Sequence, residues 1–359
     1  MIAITAPARI CLFGDHQDYL GLPVIAGAID KQITLTAAPN LKDEIEISMP
    51  DIDAYRIIPI SETFENLAPR DYFASGIRVV QRYGCVPSHG YHITITGNVP
   101  INSGVSSSSA MVVAWIHFLL KAFGSDQTFS PAFIAKLAHE AEVLEHNEPG
   151  GKMDQYSISL GNIIYMETGV SFTHKTIGHS MEGLILADSG VKKETLQVLS
   201  EAKNNALAAI DLVRQNVPDF QLEKIKPEEV LAYNAFIPNH LQPYFYAAVQ
   251  NHAITQNALI EFEEETIDLK KIGQLMSQHH DILKDILHIT VPKIDAMIDA
   301  ALKAGAYGAK IVGSGGGGSI IVLAAPENIS PICNAILKTG AKAAYPVRVS
   351  EGTQFKDHD

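Results

Sequence analysis

The sequence predicts an α+β fold built in two layers, and three observations carry that reading. The first hundred residues are rich in β-branched residues in period-two alternation, the second half carries long helical patterns, and strands and helices are grouped instead of strictly alternating. Strict alternation would have meant a doubly wound parallel sheet. At 359 residues the chain has material for about two domains with a sizeable core. The expected division lies near residue 175, giving an N-terminal domain over 1–175 and a C-terminal domain over 176–359.

Taken in order, "MIAIT", "QITLTAA", "EIEISM", "YRIIPI" and "YHITITGN" read as strands. The pattern then changes. An apolar helix is predicted from Ser107 to Ala122 and closed by Gly124; Ser130-Pro131 opens a second, "AFIAKLAHEAEVLEHNE", which stops at Pro149-Gly150-Gly151. A strand pair follows in "GNIIYME" and "EGLILAD". From about Lys193 to Ala304 the chain reads as mostly helical, and "YGAKIVGSGGGGSIIVLAAP" as strand, glycine loop and strand, before a last helix and "YPVRVS". No internal repeat is present.

Composition excludes several classes of function. Hydrophobic residues make up 47% and charged ones 19%, which suits a packed core and not disorder. Cys11, Cys85 and Cys333 are odd in number and far apart, so they form neither a disulfide framework nor a zinc pattern, and a reducing cytoplasm is expected. Arg9 and Asp15 come too early for a signal peptide, and no apolar run approaches a membrane span. A net charge of -13 speaks against nucleic acid or an anionic membrane as partner. A polyphosphate would have to be held by local devices: helix N-termini, backbone amides, a metal and a few cations.

Four segments carry polar chemistry. In "VPINSGVSSSSAMVVAWIHFLL" a glycine and four serines precede an apolar run; they are either simple caps or a small-residue loop that wraps an anion at a helix mouth. "GSGGGG", Gly313 to Gly318, formally fits G-x-G-x-x-G but runs into a strand, so it reads as a tight strand-to-strand turn that lets a backbone or ligand approach. No G-x-x-x-x-G-K-[ST] occurs. "GGKMDQ" sets Asp154 in a loop after a helix, twelve residues beyond Glu142, and two acids near a phosphate-cradling loop are what a magnesium site needs. His139 and His146 lie about two helical turns apart, roughly 10 Å, too far to chelate one ion. "ARICLFGDHQDYLG" gathers Arg9, Asp15, His16, Asp18 and Tyr19 in one turn, a mixture of donors and acceptors that suits a polyhydroxylated ligand.

Together, "APARICLFGDHQDY", "PINSGVSSSSA" and "GAKIVGSGGGGSIIVL" resemble the three motifs of the GHMP kinases, in the right order and across nearly the whole chain. The likeness is greatest to galactokinase-like sugar kinases. It implies a two-domain fold, a ribosomal-protein-like α/β N-terminal domain and a ferredoxin-like α+β C-terminal domain, with the active site in the cleft between them. It implies ATP and Mg²⁺ as cofactors and a small-molecule sugar or polyol as substrate. By position, Ser103, Gly104, Ser106, Ser107, Ser108 and Ser109 correspond to the phosphate loop, and Ser108 and Glu142 to the magnesium ligands. Asp154 corresponds to the carboxylate assigned as catalytic base and Arg9 to its paired arginine. Asp15, His16, Asp18, Gly151 and Asp154 correspond to sugar contacts, and Gly313, Gly315, Gly316 and Gly317 to the loop that closes the site.

Phosphoryl transfer needs an in-line hydroxyl, a nearby carboxylate and positive charge on the equatorial oxygens. Asp154, Arg9, Mg²⁺ and a helix dipole supply those parts, with Asp154 chiefly positioning the hydroxyl and accepting its proton late. Two departures bear on substrate. Asp15 stands where galactokinases usually carry glutamate, and Lys152 where they are usually apolar, so Lys152 either reinforces Asp154, meets an anionic substituent, or is an exposed loop lysine. The resemblance therefore implies a galactokinase-like kinase, with a mevalonate-type, sugar-acid or heptose kinase as alternative and a catalytically silent sugar and ATP sensor as a third reading. A cytoplasmic monomer or homodimer is expected.

Overall fold

The computed structural model describes residues 1–169, 171–177, 180–192 and 195–357. In chain order these form β1 (Ile2–Phe13), β2 (Val24–Pro39), β3 (Glu44–Met49), β4 (Ala54–Pro59), α1 (Tyr72–Gln81), β5 (Tyr91–Gly97), α2 (Ser107–Phe123), α3 (Pro131–His139), α4 (Met153–Leu160), β6 (Ile163–Glu167), β7 (Thr173–Ile177) and β8 (Leu184–Asp188). There follow α5 (Thr195–Asn216), α6 (Val230–Tyr233), α7 (Gln242–Phe262), α8 (Leu269–Asp281), α9 (Pro292–Lys303), β9 (Gly308–Ile311), β10 (Ser319–Leu323), α10 (Ile329–Lys338), β11 (Ala343–Pro346) and β12 (Gln354–Asp357). The α+β reading holds. The five early strands form where the alternation puts them, and α2 ends at Gly124, whose N–H bonds Leu120 O. The helix onset expected at Lys193 lies outside the described residues.

Two sheets organise the molecule. The first runs β12-β1-β2-β5-β3-β4, with β6 on the far side of β2 and β7 on β6; the second runs β11-β8-β10-β9. Pro7 cannot donate to a ladder, and the β1–β2 register shifts between Pro7 and Ala8, where β2 carries Asp30 and Lys31 as extra residues in a bulge opposite the step before Arg9. Helix α2 is buried nearly all round, with Val112 to Leu120 inaccessible between β1, β2 and its neighbouring helices, which explains its uninterrupted apolar sequence. Helices α9 and α10 cover the second sheet through Ile294, Met297, Ile332 and Ile336. A further core, from Ile10 and Ile25 through Phe262 and Met276 to Val312 and Ile321, joins the two sheets. Strand β12 returns to pair with β1, so the last described residues of the chain sit on the first sheet, across the division expected near residue 175.

One expectation is corrected. Asp154 is not in a loop: it lies in the first turn of α4. This eight-residue helix buries Met153 and Gln155 to Ser159 on almost every side, so it carries no amphipathic period for a sequence to reveal. Strands β7 and β12 were likewise unannounced, β7 because four of its five residues are exposed and polar. Among the described residues no helix is long and apolar enough to cross a membrane.

Candidate functional site

A cavity of about 630 Å³ opens where β1, the turn after it, the entrance of α2, the segment Glu140–Leu144, the start of α4 and residues 313–314 converge. Its walls bring together residues from six separate stretches of sequence, 9–19, 70–72, 102–109, 142–155, 199 and 313–314.

Arg9 projects from β1 and is 5% exposed. Its Nε donates to Asp154 Oδ1 at 2.8 Å and its Nη2 to Oδ2 at 2.9 Å, a two-point pairing, while Nη1 donates to Gly104 O at 2.6 Å. Ser106, the residue before α2, has φ 59° and makes no side-chain cap. Its hydroxyl instead donates to Asp154 Oδ2. The first-turn N–H groups of α2 therefore face the cavity without the serine bond that usually satisfies one of them, the arrangement that attracts an anion. Ser107, Ser108, Ser109 and Gly104 all line that wall. Ser103 does not: it is buried behind the loop with its hydroxyl on Ile101 O at 3.3 Å.

Glu142 belongs to a π-helical stretch that continues α3, and it falls on the buried stripe of Ile134, Ala138 and Ala141. It is 5% exposed. Burial foremost, with the charge of Asp154 adding, pushes its carboxyl up to about 7, against hydrogen bonds from Gln155, Ser109 and Ser108. Gln155 Nε2 donates to Glu142 Oε2 at 2.7 Å. A buried carboxylate short of positive charge, beside the Ser108 hydroxyl, is a fit for a hard divalent cation. Among the described residues no cluster of three or more His, Cys, Asp or Glu would cage an ion, so a cation held there would draw its other ligands from water or phosphate oxygens.

On the other side of Asp154, Asp18 accepts from Tyr19 N at 2.9 Å and from Met153 N at 3.4 Å. Burial, then repulsion from Asp154, raises its carboxyl to about 6. Gly151 makes this possible, because a Cβ there would lie 2.1 Å from Asp18 Oδ2. His16, at φ 66°, bonds Tyr19 Oη at 2.9 Å through Nδ1 and Ser314 O at 3.1 Å through Nε2. Asp15 is committed elsewhere. One of its oxygens pairs with Lys310, which is fully buried, and the other accepts from Gly313 N at 2.7 Å. Burial alone would raise the Asp15 carboxyl, but Lys310 outweighs it and holds it at about 2.

Of the glycine loop, Gly313 and Ser314 line the cavity. Gly315, Gly316 and Gly317 turn away from it toward Ile289 and Val191, as a turn that admits a second backbone. Lys152 points out of the cavity, its Nζ 5.4 Å above the Phe172 ring. Helix α5 leans over the opening, with Leu199 in the wall and Lys203 Nζ on Pro149 O at 3.2 Å.

Sequence reasoning did not single out Lys310, Arg70, Tyr72 or Glu148. Lys310 left one faint signal, a lysine inside an apolar strand next to the glycine loop. Arg70 left none, because its partner Glu148 is brought to it only by the fold.

The family "GHMP kinases N terminal domain" matches residues 71–162, "GHMP kinases C terminal" matches 258–345, and the "Galactokinase galactose-binding signature" matches 2–39. A mevalonate kinase of Thermococcus onnurineus is 27% identical over 99% of this chain and 98% of its own length. A galactokinase of Bacillus subtilis is 28% identical over 97% of this chain and 93% of its own. The crystal structure of Lactococcus lactis galactokinase complexed with galactose superposes with a TM-score of 0.87 at 22% identity, covering 98% of this chain and 95% of that one. That of Methanococcus jannaschii mevalonate kinase gives 0.72 at 22% identity, covering 98% of each.

Proposed function

The chain belongs to the GHMP kinases, and from that premise we propose that it phosphorylates a hydroxyl of a neutral monosaccharide. Members of the family are ATP-dependent phosphotransferases with alcohol acceptors, so the open question is the alcohol. One observation carries the reading: the Asp154 carboxylate, paired with Arg9 at 2.8 and 2.9 Å, lies between the mouth of α2 and the Asp18 turn. A polyphosphate resting at Ser107 and Ser108 and a polyol resting at Asp18, His16 and Gly151 would meet at Asp154.

In this reading the acceptor hydroxyl takes the place of Ser106 as hydrogen-bond donor to Asp154, which aims the oxygen at the γ-phosphorus. The bond from phosphorus to the bridging oxygen of ADP breaks as the bond to the acceptor oxygen forms, and the hydroxyl proton passes late to Asp154. Arg9 stays on Asp154 and adds positive charge at the transferring group. Ser108 and Glu142 would hold Mg²⁺, which when bound neutralises charge on the phosphate oxygens.

The acceptor end is acidic. Asp18 and Asp154 line it, with Asp15 behind them neutralised by Lys310, and the arginine in that wall, Arg9, is already held by Asp154 at two points. Lys152 is turned to Phe172, and Lys203 stands at the rim, its Nζ on Pro149 O and 5.8 Å from the Tyr19 ring centroid. A carboxylate on the substrate would meet repulsion from Asp18 and Asp154, with Lys203 as counter-charge at the rim alone, which favours galactose-like sugars over mevalonate or sugar acids. The match of the galactose-binding signature to residues 2–39 supports the same choice. The commitment of Asp15 to Lys310 is the observation on the other side, because it removes one hydroxyl ligand and keeps a mevalonate-type acceptor as second reading.

The test is an ADP-release screen of the purified chain against galactose, glucose, arabinose, a heptose, galacturonate and mevalonate, with Asp154→Asn as control. A neutral sugar should be the best acceptor. Asp154→Asn should be slower by roughly 10²- to 10⁴-fold with ATP affinity retained. Preference for mevalonate or galacturonate would overturn the reading, and saturable sugar binding without ADP release would mark a sensor.

A further inference from the structure

Apart from Asp15, which Lys310 neutralises, the cavity wall holds four carboxylates, Asp18, Glu142, Glu148 and Asp154, against two arginines, Arg9 and Arg70. Arg9 is consumed by Asp154 and Gly104 O. A magnesium-bound nucleoside triphosphate still carries about two negative charges and approaches a chain of net charge -13. The helix mouth offers partial charge only.

Arg70 is placed to supply the rest. It precedes α1 at φ 58°, and its side chain is 52% exposed at the cavity rim. Its Nε donates to Glu148 Oε1 at 2.8 Å, and the same oxygen accepts from Tyr72 Oη at 3.0 Å. An ion pair this exposed is worth roughly 0–1 kcal/mol, so it opens at little cost. Tyr72 would still hold Glu148 after Arg70 left. A guanidinium gains more from two oxygens of a phosphate than from a single carboxylate oxygen in water.

We propose that Arg70 is a phosphate ligand of the bound nucleotide, parked on Glu148 when the nucleotide is absent and released to the polyphosphate when it binds. The inference rests on the kinase reading and adds a residue outside the sequence motifs that carry it. Glu148 then competes with the nucleotide for Arg70, and that gives the two side chains opposite effects. A merely structural Arg70–Glu148 clasp, fixing the loop before Gly150, would give them the same effect.

The experiment is calorimetric titration of the full chain with a magnesium complex of a non-hydrolysable ATP analogue, without acceptor, at low and moderate KCl. Arg70→Gln should bind about tenfold more weakly and lose part of the salt dependence, while Arg70→Lys recovers part of the affinity. Glu148→Gln should bind severalfold more tightly. Adenosine, which has no phosphate, should bind wild type and Arg70→Gln alike. Thermal melts confirm that each variant is folded. Arg70→Gln within twofold of wild type, or Glu148→Gln weakened in parallel with it, overturns this inference alone; a wild-type chain that binds no analogue overturns the kinase reading and this inference together.

Discussion

Asp18 and Asp154 are two carboxylates of one cavity handled in opposite ways. Asp154 has a guanidinium at two points, whereas among the described residues Asp18 has the N–H groups of Tyr19 and Met153 and no cation at hydrogen-bond distance. Desolvation and then the charge of Asp154 leave Asp18 at about 6, above the ordinary aspartate range. The sign follows directly. An acid whose pKa is raised by folding keeps its proton in the folded state while the unfolded chain loses it, so its contribution to stability is present in acid and lost as pH rises through about 6. Acceptor binding runs the other way, because a sugar hydroxyl donates to the ionised form. The acceptor kcat/KM at saturating MgATP should fall by up to about tenfold per pH unit below pH 6, and Asp18→Asn should be weak at all pH but without that limb. The same variant should gain stability over wild type in urea at pH 8 and not at pH 4. An acid limb that persists in Asp18→Asn would take Asp18 out of acceptor recognition.

The glycine loop between β9 and β10 shows what an element can demand of sequence. Gly315 has φ +85°, and a Cβ on it would lie 2.5 Å from Ile289 O, the same carbonyl that accepts from Gly316 N at 2.8 Å. Gly315→Ala therefore adds a left-handed penalty to a collision with backbone, and should destabilise by about 2 kcal/mol or more, read from urea midpoints. An unchanged midpoint would mean that the loop does not rest on Ile289. The turn was legible because only a strand-to-strand connection fits six near-continuous small residues between two apolar runs. Strands β3, β4 and β5 were legible because one face of each is buried, and α2 because Ala110 to Leu120 is apolar but for His117. Helix α4 was not, being buried on nearly all sides, nor β7, being exposed on nearly all. At the site, Arg9, the serine loop, Glu142 and Asp154 each sit in a short motif of fixed spacing. Lys310 and Arg70 find their partners 295 and 78 residues away, and no local pattern encodes such a meeting.

At the scale of the whole molecule the two sheets are held by an apolar core and one buried ion pair within it. Lys310, on β9 of the second sheet, reaches across to Asp15, in the turn after β1 of the first, and both side chains are 0% exposed. Its Nζ also donates to Cys11 O at 3.0 Å and Ile311 O at 2.8 Å, so each of its three protons has an acceptor. A pair this dry gains little net stability from existing, since desolvation offsets attraction, but breaking one side strands the other charge. Lys310→Met should therefore cost roughly 3–5 kcal/mol in urea unfolding. Asp15→Asn combined with Lys310→Met should cost less than the two single changes added, by about 1–3 kcal/mol, because the double variant leaves no unpaired charge. Strict additivity would show that the two side chains do not meet. The same pair seats Gly313 through the second oxygen of Asp15, and Ser314 O beneath His16, so the double variant should also weaken acceptor binding more than its loss of stability explains. If acceptor affinity in the folded double variant matched wild type, Asp15 would be a tie between sheets with no part in shaping the cavity.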